Sequence, residues 1–416
     1  MKKLTETVDK YIIYHKLVYL FLMISFTINL FRFMAIPFLT LFLTSKFDVS
    51  ASQVGLLVGT PALIQLGLSV FLSGITEKMK LKWATISSLL LPTVGMIGYI
   101  SLDQFYLIFL SSVISGVGWS VYNPLIMSAL AKYSDENQVD HVFGLHYWVF
   151  NLGGVLGPLI GVYIGAGQSI APFYFFIIAL MLMALIVFFM IPAKEQVSRN
   201  DTVTKKGTFL KELKQVITDK RAIYLFLAYF SIFFIEVQFE TNFPIYLRNH
   251  FGETGTKIVG WMLSAMTVTV LIIQPISLKM LKKITPVRLF LSSSVIYVIG
   301  LFVFTFSGWT FMFLSAAILI SLGEVIGVPK MQALNAKIAP VHLKTTYFAF
   351  VTMGGNLAFF LGPILGGLLL PFKNGLLLFA LLIILGAVSG VFASISQTNH
   401  DRGLNRKQNK AGVLSN

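Results

Sequence analysis

The stretch Leu156-Gly157-Pro158-Leu159-Ile160-Gly161 recurs as Leu361-Gly362-Pro363-Ile364-Leu365-Gly366 about 205 residues later, each time within a long apolar segment. At the same offset and without a gap, further glycine, proline, lysine and asparagine residues coincide: Gly118 with Gly323, Pro124 with Pro329, Lys132 with Lys337 and Asn151 with Asn356. Self-similarity at half the chain length is typical of a duplicated membrane bundle. The sequence therefore predicts two related halves.

The composition is that of a chain surrounded mainly by lipid. Of the 416 residues, 56% are hydrophobic and 12% are charged, whereas about a quarter of a soluble protein is charged. The net charge of +15 does not indicate nucleic-acid binding, because the basic residues occur in short runs between apolar segments, without a Cys/His finger or an RNA-binding motif. The lack of cysteine excludes disulfides, thiolate metal sites and cysteine nucleophiles.

Apolar windows of membrane-spanning length recur along the whole chain. A hydrocarbon core about 30 Å thick needs roughly 20 apolar residues per helix. We predict an all-α membrane protein with twelve transmembrane helices in two pseudo-symmetric six-helix bundles, residues 1–193 and 222–396, joined by a polar linker, 194–221, and followed by a disordered tail, 397–416. The predicted helices are 17–43, 52–75, 83–102, 104–127, 141–165, 170–192, 222–247, 258–280, 287–306, 309–331, 345–370 and 375–396.

Basic residues in the loops predict the orientation. Lysine and arginine near helix ends resist translocation, so the side that carries most of them is cytoplasmic. With the N-terminus inside, only Lys46, Arg248, Lys257 and Lys373 fall outside. Both termini and the linker are therefore expected in the cytoplasm, and the first apolar span is too long for a signal-peptide core.

Four charged residues lie well inside predicted spans, away from their ends: Arg32 in the first, Glu236 and Glu240 in the seventh, and Glu324 in the tenth. A charge in the hydrocarbon layer costs at least a few kcal/mol. Each of these side chains therefore needs a partner or a function.

The two acids of the seventh span are four residues apart and project from one face of a helix. We expect Gln238 and Asn242 to broaden this face into a polar stripe that contacts substrate. Two carboxylates so close together repel each other, so one should keep its proton, as in a proton carrier. The alternative is a salt bridge between Arg32 and Glu236, which the repeat places at nearly the same depth.

Glu324 and Trp119 occupy equivalent positions in the repeat. Glu324 is a candidate for protonation or cation recognition, and Trp119 offers an aromatic face to a flat or cationic ligand; a structural hydrogen bond is the alternative for Glu324. His146 is a candidate proton relay or a packing residue. Arg32 itself is also a candidate substrate contact. So are Asn29, which is near Arg32 in sequence, and Trp148, which is near His146. The histidines show no metal-ligand spacing, so no metal or cofactor is expected.

The repeated motif has a mechanical interpretation. Glycines let helices approach closely, and proline removes a backbone hydrogen bond and permits a bend. A gate or hinge role is predicted for two matched sets, with ordinary tight packing as the alternative: Gly157, Pro158 and Gly161, and Gly362, Pro363 and Gly366.

The chain resembles the major facilitator superfamily, whose members have two six-helix halves and a cytoplasmic linker. The segment from Gly157 to Gly161 is similar to the motif of its drug/proton antiporters, with Val162 where that group often has glycine. The loop after the second helix resembles the superfamily signature G-x-x-x-D-R-x-G-R-K, with Glu77 and Lys78 at the Asp-Arg positions and Lys82 at the last basic one.

Segments 145–151, 238–245 and 322–326 further resemble proton-coupled multidrug exporters, whose acids correspond to Glu240 and Glu324, while His146 stands at a third acidic position. The resemblance implies a proton-driven secondary transporter that exports lipophilic, often cationic compounds as a monomer in a bacterial plasma membrane. A sugar or peptide symporter and a glycolipid flippase remain alternatives on the same fold, as does a membrane sensor or scaffold. An enzyme is disfavoured, because no nucleophile-base set or phosphate-binding loop is present.

Overall fold

The computed structural model describes residues 14–47, 49–76, 79–135, 138–165, 169–196, 206–340 and 343–413. In these ranges it contains twelve helices long and apolar enough to cross a membrane. The predicted fold class and the predicted number of spans are confirmed. Glu77 and Lys78 lie outside the described residues.

The first six spans are single helices in the positions that the sequence predicted. Their bounds are α1 Lys16–Phe47, α2 Ala51–Thr76, α3 Leu81–Ser101, α4 Phe105–Tyr133, α5 Val139–Gly165 and α6 Ala171–Met190. Because successive spans alternate in direction, α1 begins and α6 ends on one side of the membrane. We call it the linker side, since the linker follows α6.

A short helix in the linker, α7 (Lys206–Thr218), precedes the second bundle. The remaining helices are α8 Lys220–Glu240, α9 Asn242–Met280, α10 Pro286–Thr305, α11 Thr310–Ile338, α12 Lys344–Leu369 and α13 Leu376–Val413. The seventh span consists of α8 and the start of α9. Gly252 then turns the chain into the eighth span with φ 58° and ψ −136°, a conformation open to glycine and costly for other residues.

Two helices extend further on the linker side than predicted. α4 ends at Tyr133 rather than near residue 127, and α11 ends at Ile338 rather than near 331. Hydropathy marks where the hydrocarbon layer ends, whereas a helix continues into water wherever its backbone hydrogen bonds persist. The ends of these two helices therefore lie beyond the apolar span.

The prediction of a disordered tail after residue 396 is wrong for most of its length. The last helix continues to Val413, and Gln397 donates to the Asp401 carboxylate at 2.8 Å, one helical turn away. Polar pairs at this spacing stabilise an exposed helix. The polar residues after 396 end the apolar span, but the helix continues through them.

Glycines in and near the repeated motif bring helices into close contact within each half. A Cβ added at Gly153 would lie 2.8 Å from the Leu30 nitrogen of α1, and one at Gly161 would lie 2.6 Å from the Met34 carbonyl. In the second half, a Cβ at Gly354 would lie 2.6 Å from the Phe226 carbonyl of α8. The pairs α1–α5 and α8–α12 therefore repeat one packing arrangement, as the duplication requires.

The two halves meet through α2 with α12 and through α5 with α9. A Cβ at Gly55 would overlap the Pro363 carbonyl, and a Cβ at Gly367 would lie 2.5 Å from Ala51. A Cβ at Gly260 would similarly overlap Val162. All of these residues lie in the halves of their helices away from the linker, so the bundles are closed together on the side opposite the linker.

A polar cluster fixes the linker side of the second bundle. Asp219 caps α8 and pairs with Arg221 at 2.7 Å, and the Tyr347 hydroxyl donates to Asp219 at 2.6 Å. Thr346 donates to Glu212 of α7 at 2.6 Å. Burial raises the pKa of Asp219, but hydrogen bonds from Arg221 and Tyr347 outweigh it and hold this pKa below its usual value. The cluster therefore ties the linker helix to α8 and α12.

Candidate functional site

A cavity of about 280 Å³ lies between the two halves. Its volume is close to the lower end of the range for small-molecule pockets, roughly 300–1,000 Å³. Helices α1 to α4 and α6 of the first half and α8 and α12 of the second half line it. The polar and charged lining residues are Arg32, Gln65, Tyr99, Ser115, Asn123, Glu240, Thr241 and Asn356.

Arg32 and Trp119 face this cavity together, as the prediction of a substrate site requires. The Arg32 guanidinium carbon lies 5.4 Å from the centre of the Trp119 ring and 6.0 Å from that of Phe33. Trp119 stacks in turn on Phe176 at 6.5 Å. Within the described residues, the ion pairs involve Lys46, Lys132 and Arg221 and not Arg32. The aromatic rings, rather than a carboxylate, therefore hold the guanidinium in place.

Glu240 lies on the same cavity at an interruption of the seventh span. It is the last residue of α8, and Thr241 departs from helical geometry with φ −124° and ψ −74° before α9 begins at Asn242. Arg32 and Glu240 line the same cavity, and Glu236 is not among its lining residues. The cation of the first half thus shares the cavity with Glu240, and not with Glu236 as the salt-bridge alternative proposed.

Gln238 and Asn242 do not join the acids in one polar stripe. Successive helix positions turn by about 100°, so residues two apart point in nearly opposite directions. Gln238 is fully buried and donates to the Gly362 carbonyl at 3.1 Å, and Asn242 donates to Gln238 at 2.7 Å and to the Pro363 carbonyl at 3.3 Å. Both amides contact α12 and are not among the lining residues, so the structure does not bring these two predicted substrate contacts to the cavity.

Behind the cavity, Glu236 belongs to a second acidic group. The Tyr297 hydroxyl makes a long hydrogen bond to Glu236, at 3.5 Å. Glu236 lies one helical turn before Glu240 on α8, and Glu324 lies on α11. All three acids therefore lie within membrane-spanning helices, and Glu240 is the one that lines the cavity.

The other predicted contacts lie away from the cavity wall. Asn29 is buried and donates to the Ser25 carbonyl at 2.7 Å. His146 is half-buried and Trp148 is exposed, both on α5. Tyr147 between them hydrogen-bonds to Gln274 of α9, so this part of α5 contributes to the seam between the halves.

The loop residue Lys82 is half-buried on α3, where its ammonium group lies 4.2 Å from the centre of the Phe188 ring. It therefore packs on α6 of its own half. The two motif sets lie at the packing surfaces described above, and Pro363 also lines the cavity. That position connects the cavity wall to the contact with Gly55.

Several functional candidates were not predicted. Gln65, Asn123 and Asn356 bring amides to the cavity wall, and Tyr297 approaches Glu236. An amide or a tyrosine within an apolar span is common, so none of them stands out as a charge does. The repeat did contain a signal for Asn356, which it matches with Asn151.

The chain belongs to the Major Facilitator Superfamily, whose profile matches residues 21–284 and 253–415. An uncharacterized transporter of this type from Bacillus subtilis, YqjV, is 26% identical over 80% of this chain and 82% of its own length. The multidrug resistance protein MdtH of Proteus mirabilis is 23% identical over 77% of this chain and 79% of its own. The crystal structure of the nucleoside transporter NupG has the same fold, with a TM-score of 0.76 at 13% identity over 92% of this chain and 99% of NupG. The protein is therefore a multi-pass membrane transporter.

Proposed function

We propose that this protein is a proton-coupled exporter of lipophilic organic compounds that works by alternating access in a bacterial plasma membrane, with the linker side in the cytoplasm. The observation that carries the proposal is the placement of three acids, Glu236, Glu240 and Glu324, within candidate membrane spans, with Glu240 on the central cavity. The similarity to MdtH, named as a multidrug resistance protein, supports the same class of substrate.

The coupling follows from repulsion between these acids. Neighbouring carboxylates in a poorly hydrated region cannot all be ionised, so the group holds protons that it exchanges among its members. A substrate that binds at Glu240 changes the charge there and alters how readily Glu236 and Glu324 keep their protons. Proton entry and substrate release thereby become linked through electrostatics alone.

Access alternates at the seam between the bundles. In this structure the halves are closed opposite the linker, where α2 meets α12 and α5 meets α9. Opening there requires these backbone contacts to separate while the helix pairs inside each bundle remain packed. Such rocking of one bundle against the other around a central site is how transporters built from structural repeats alternate access.

Everted membrane vesicles test the coupling directly. With an acidified lumen, wild-type protein should drive accumulation of a lipophilic fluorescent cation, and Glu240→Gln or Glu324→Gln should abolish accumulation at normal membrane levels. Glu253→Gln, which changes an exposed acid beside the turn at Gly252, is the matched control and should transport normally.

The result that contradicts the proposal is full gradient-driven accumulation in both acid variants. Transport in the same direction as the proton flux would instead favour a nutrient symporter. A requirement for a lipid head group in a liposome assay would favour a flippase.

A further inference from the structure

The central cavity carries one charge of each sign, contributed by different halves. Arg32 comes from α1 and Glu240 from the end of α8, and both line the same space. Arg32 and Glu240 do not form an ion pair with each other, which would need a nitrogen–oxygen distance of 4.0 Å or less. Among the residues that the structure describes, the ion pairs lie elsewhere. The guanidinium is held by the Trp119 and Phe33 rings instead, which leave its edge N–H donors free of a carboxylate.

A charge in a cavity of low polarity is stabilised best by a hydrogen-bonded partner of opposite sign. Arg32 supplies planar donors that match an anionic oxygen pair, and Glu240 supplies acceptors for a cation. A ligand with only a positive charge satisfies Glu240 and brings its charge towards Arg32. A ligand with only a negative charge pairs with Arg32 but brings its charge towards Glu240.

The walls between the two charges define the rest of the ligand. Trp119, stacked on Phe176, presents an aromatic face beside Arg32. Phe359 of α12 lines the cavity from the second bundle. Aromatic faces of this kind take flat ring systems by stacking. Asn123 and Asn356 add hydrogen-bonding amides on either side of the seam.

We propose that the substrates of this cavity are aromatic zwitterions, with an anionic group at Arg32, a cationic group at Glu240 and the ring system against Trp119. The inference rests on the proposed function and narrows its substrate class. A zwitterion pairs both side chains at once, whereas the lipophilic cation expected from the sequence pairs only one.

Rhodamine B and its ethyl ester provide a matched test, since they share the cationic ring system and differ in the carboxylate. Fluorescence polarisation with the purified full chain measures the binding of each dye without a proton gradient. Wild-type protein should bind rhodamine B about tenfold or more tighter than the ester, as a charged hydrogen bond contributes roughly this much. Arg32→Gln should remove the preference, and Arg32→Lys should retain part of it.

The control is Arg288→Gln, which removes an exposed positive charge on α10 and should keep the preference. A thermal midpoint near that of wild type shows that each variant is folded. Equal or tighter binding of the ester by wild type, a preference that survives Arg32→Gln, or no binding of either dye would each overturn the inference.

Transport in vesicles separates this outcome from the proposed function. If the ester is exported in a gradient-dependent manner at least as well as rhodamine B, the zwitterion inference fails while proton-coupled export stands. If rhodamine B binds with the predicted preference and no dye responds to the gradient, the coupling fails while the substrate class stands.

Discussion

Gly55→Ala should shift this transporter away from the conformation seen here. The added methyl carbon would lie 2.5 Å from the carbonyl carbon of Pro363 and 2.8 Å from the nitrogen of Ile364. Ordinary contact begins at 3.4 Å and the Pro363 carbonyl oxygen is the nearest atom, so α2 and α12 must separate by about 1 Å. The obstructing atoms are backbone, which cannot turn aside as a flexible side chain can.

Overpacking of this kind costs about 1–3 kcal/mol. This free-energy cost arises only while α2 and α12 are in contact. It therefore destabilises the conformation that is closed opposite the linker and leaves the conformation that is open on that side unaffected. A free-energy difference of this size changes the equilibrium between two states by roughly 5- to 150-fold. The population open opposite the linker should rise by that factor.

Distances between two spin labels can measure this shift. Cysteines replacing Tyr106 and Phe311, which are 84% and 80% exposed at the starts of α4 and α11, report opening between the halves, and the natural chain has no other cysteine to remove. Gly67→Ala on the same helix is the matched control, since a Cβ there meets nothing within 4 Å. An unchanged distance distribution for Gly55→Ala, or an equal change for Gly67→Ala, would refute the reasoning.

Three further substitutions test a buried amide, a helix-capping carboxylate and an aromatic wall of the cavity. Gln238→Leu leaves the Asn242 amide and the Gly362 carbonyl without this partner, and should lower the free energy of unfolding by about 1–3 kcal/mol, measured as a lower thermal midpoint in detergent. Asp219 has a lowered pKa, so the stability it provides is present above its unfolded pKa and is lost as the pH falls through its folded pKa. Asp219→Asn should therefore reduce the difference between thermal midpoints at pH 7 and pH 3. Trp119→Ala should weaken dye binding more than Trp83→Ala, a change at an exposed ring outside the cavity, when both are titrated by fluorescence polarisation.

Charge within an apolar span was the most informative sequence signal for the site. Arg32, Glu236, Glu240 and Glu324 stand out because burial of a charge is costly, and the structure places Arg32 and Glu240 on one cavity. Which acid faces Arg32 could not be predicted. The repeat gave similar depths for Arg32 and Glu236, but depth does not specify the direction in which a side chain points.

The misplaced amides show where helical periodicity was misapplied. Gln238 lies two positions from both Glu236 and Glu240, so a helix directs it away from them, and Asn242, which donates to Gln238, lies against α12 as well. The contact with Gly362 does not follow from local sequence, since it depends on a helix more than 120 residues away. The cavity amides were missed for the same reason: only packing distinguishes a lining residue from a lipid-facing one.

The duplication accounts for the helix packing that the two halves share, and the positions at which the halves differ carry the charged residues of the site. Matched glycines give the same packing of α5 on α1 and of α12 on α8, yet Arg32 corresponds to Val237 and Glu240 to Ala35 in the repeat. Neither of these two charges therefore has a charged counterpart in the other half. Because the two charges belong to different rigid bundles, rocking of the bundles must change the distance between them, and electrostatic energy varies inversely with that distance. A ligand that bridges Arg32 and Glu240 would favour one separation over the other, and so would a proton on Glu240. In the proposed transporter, substrate and proton thus both act on the distance between Arg32 and Glu240, which changes as the seam between the bundles opens and closes.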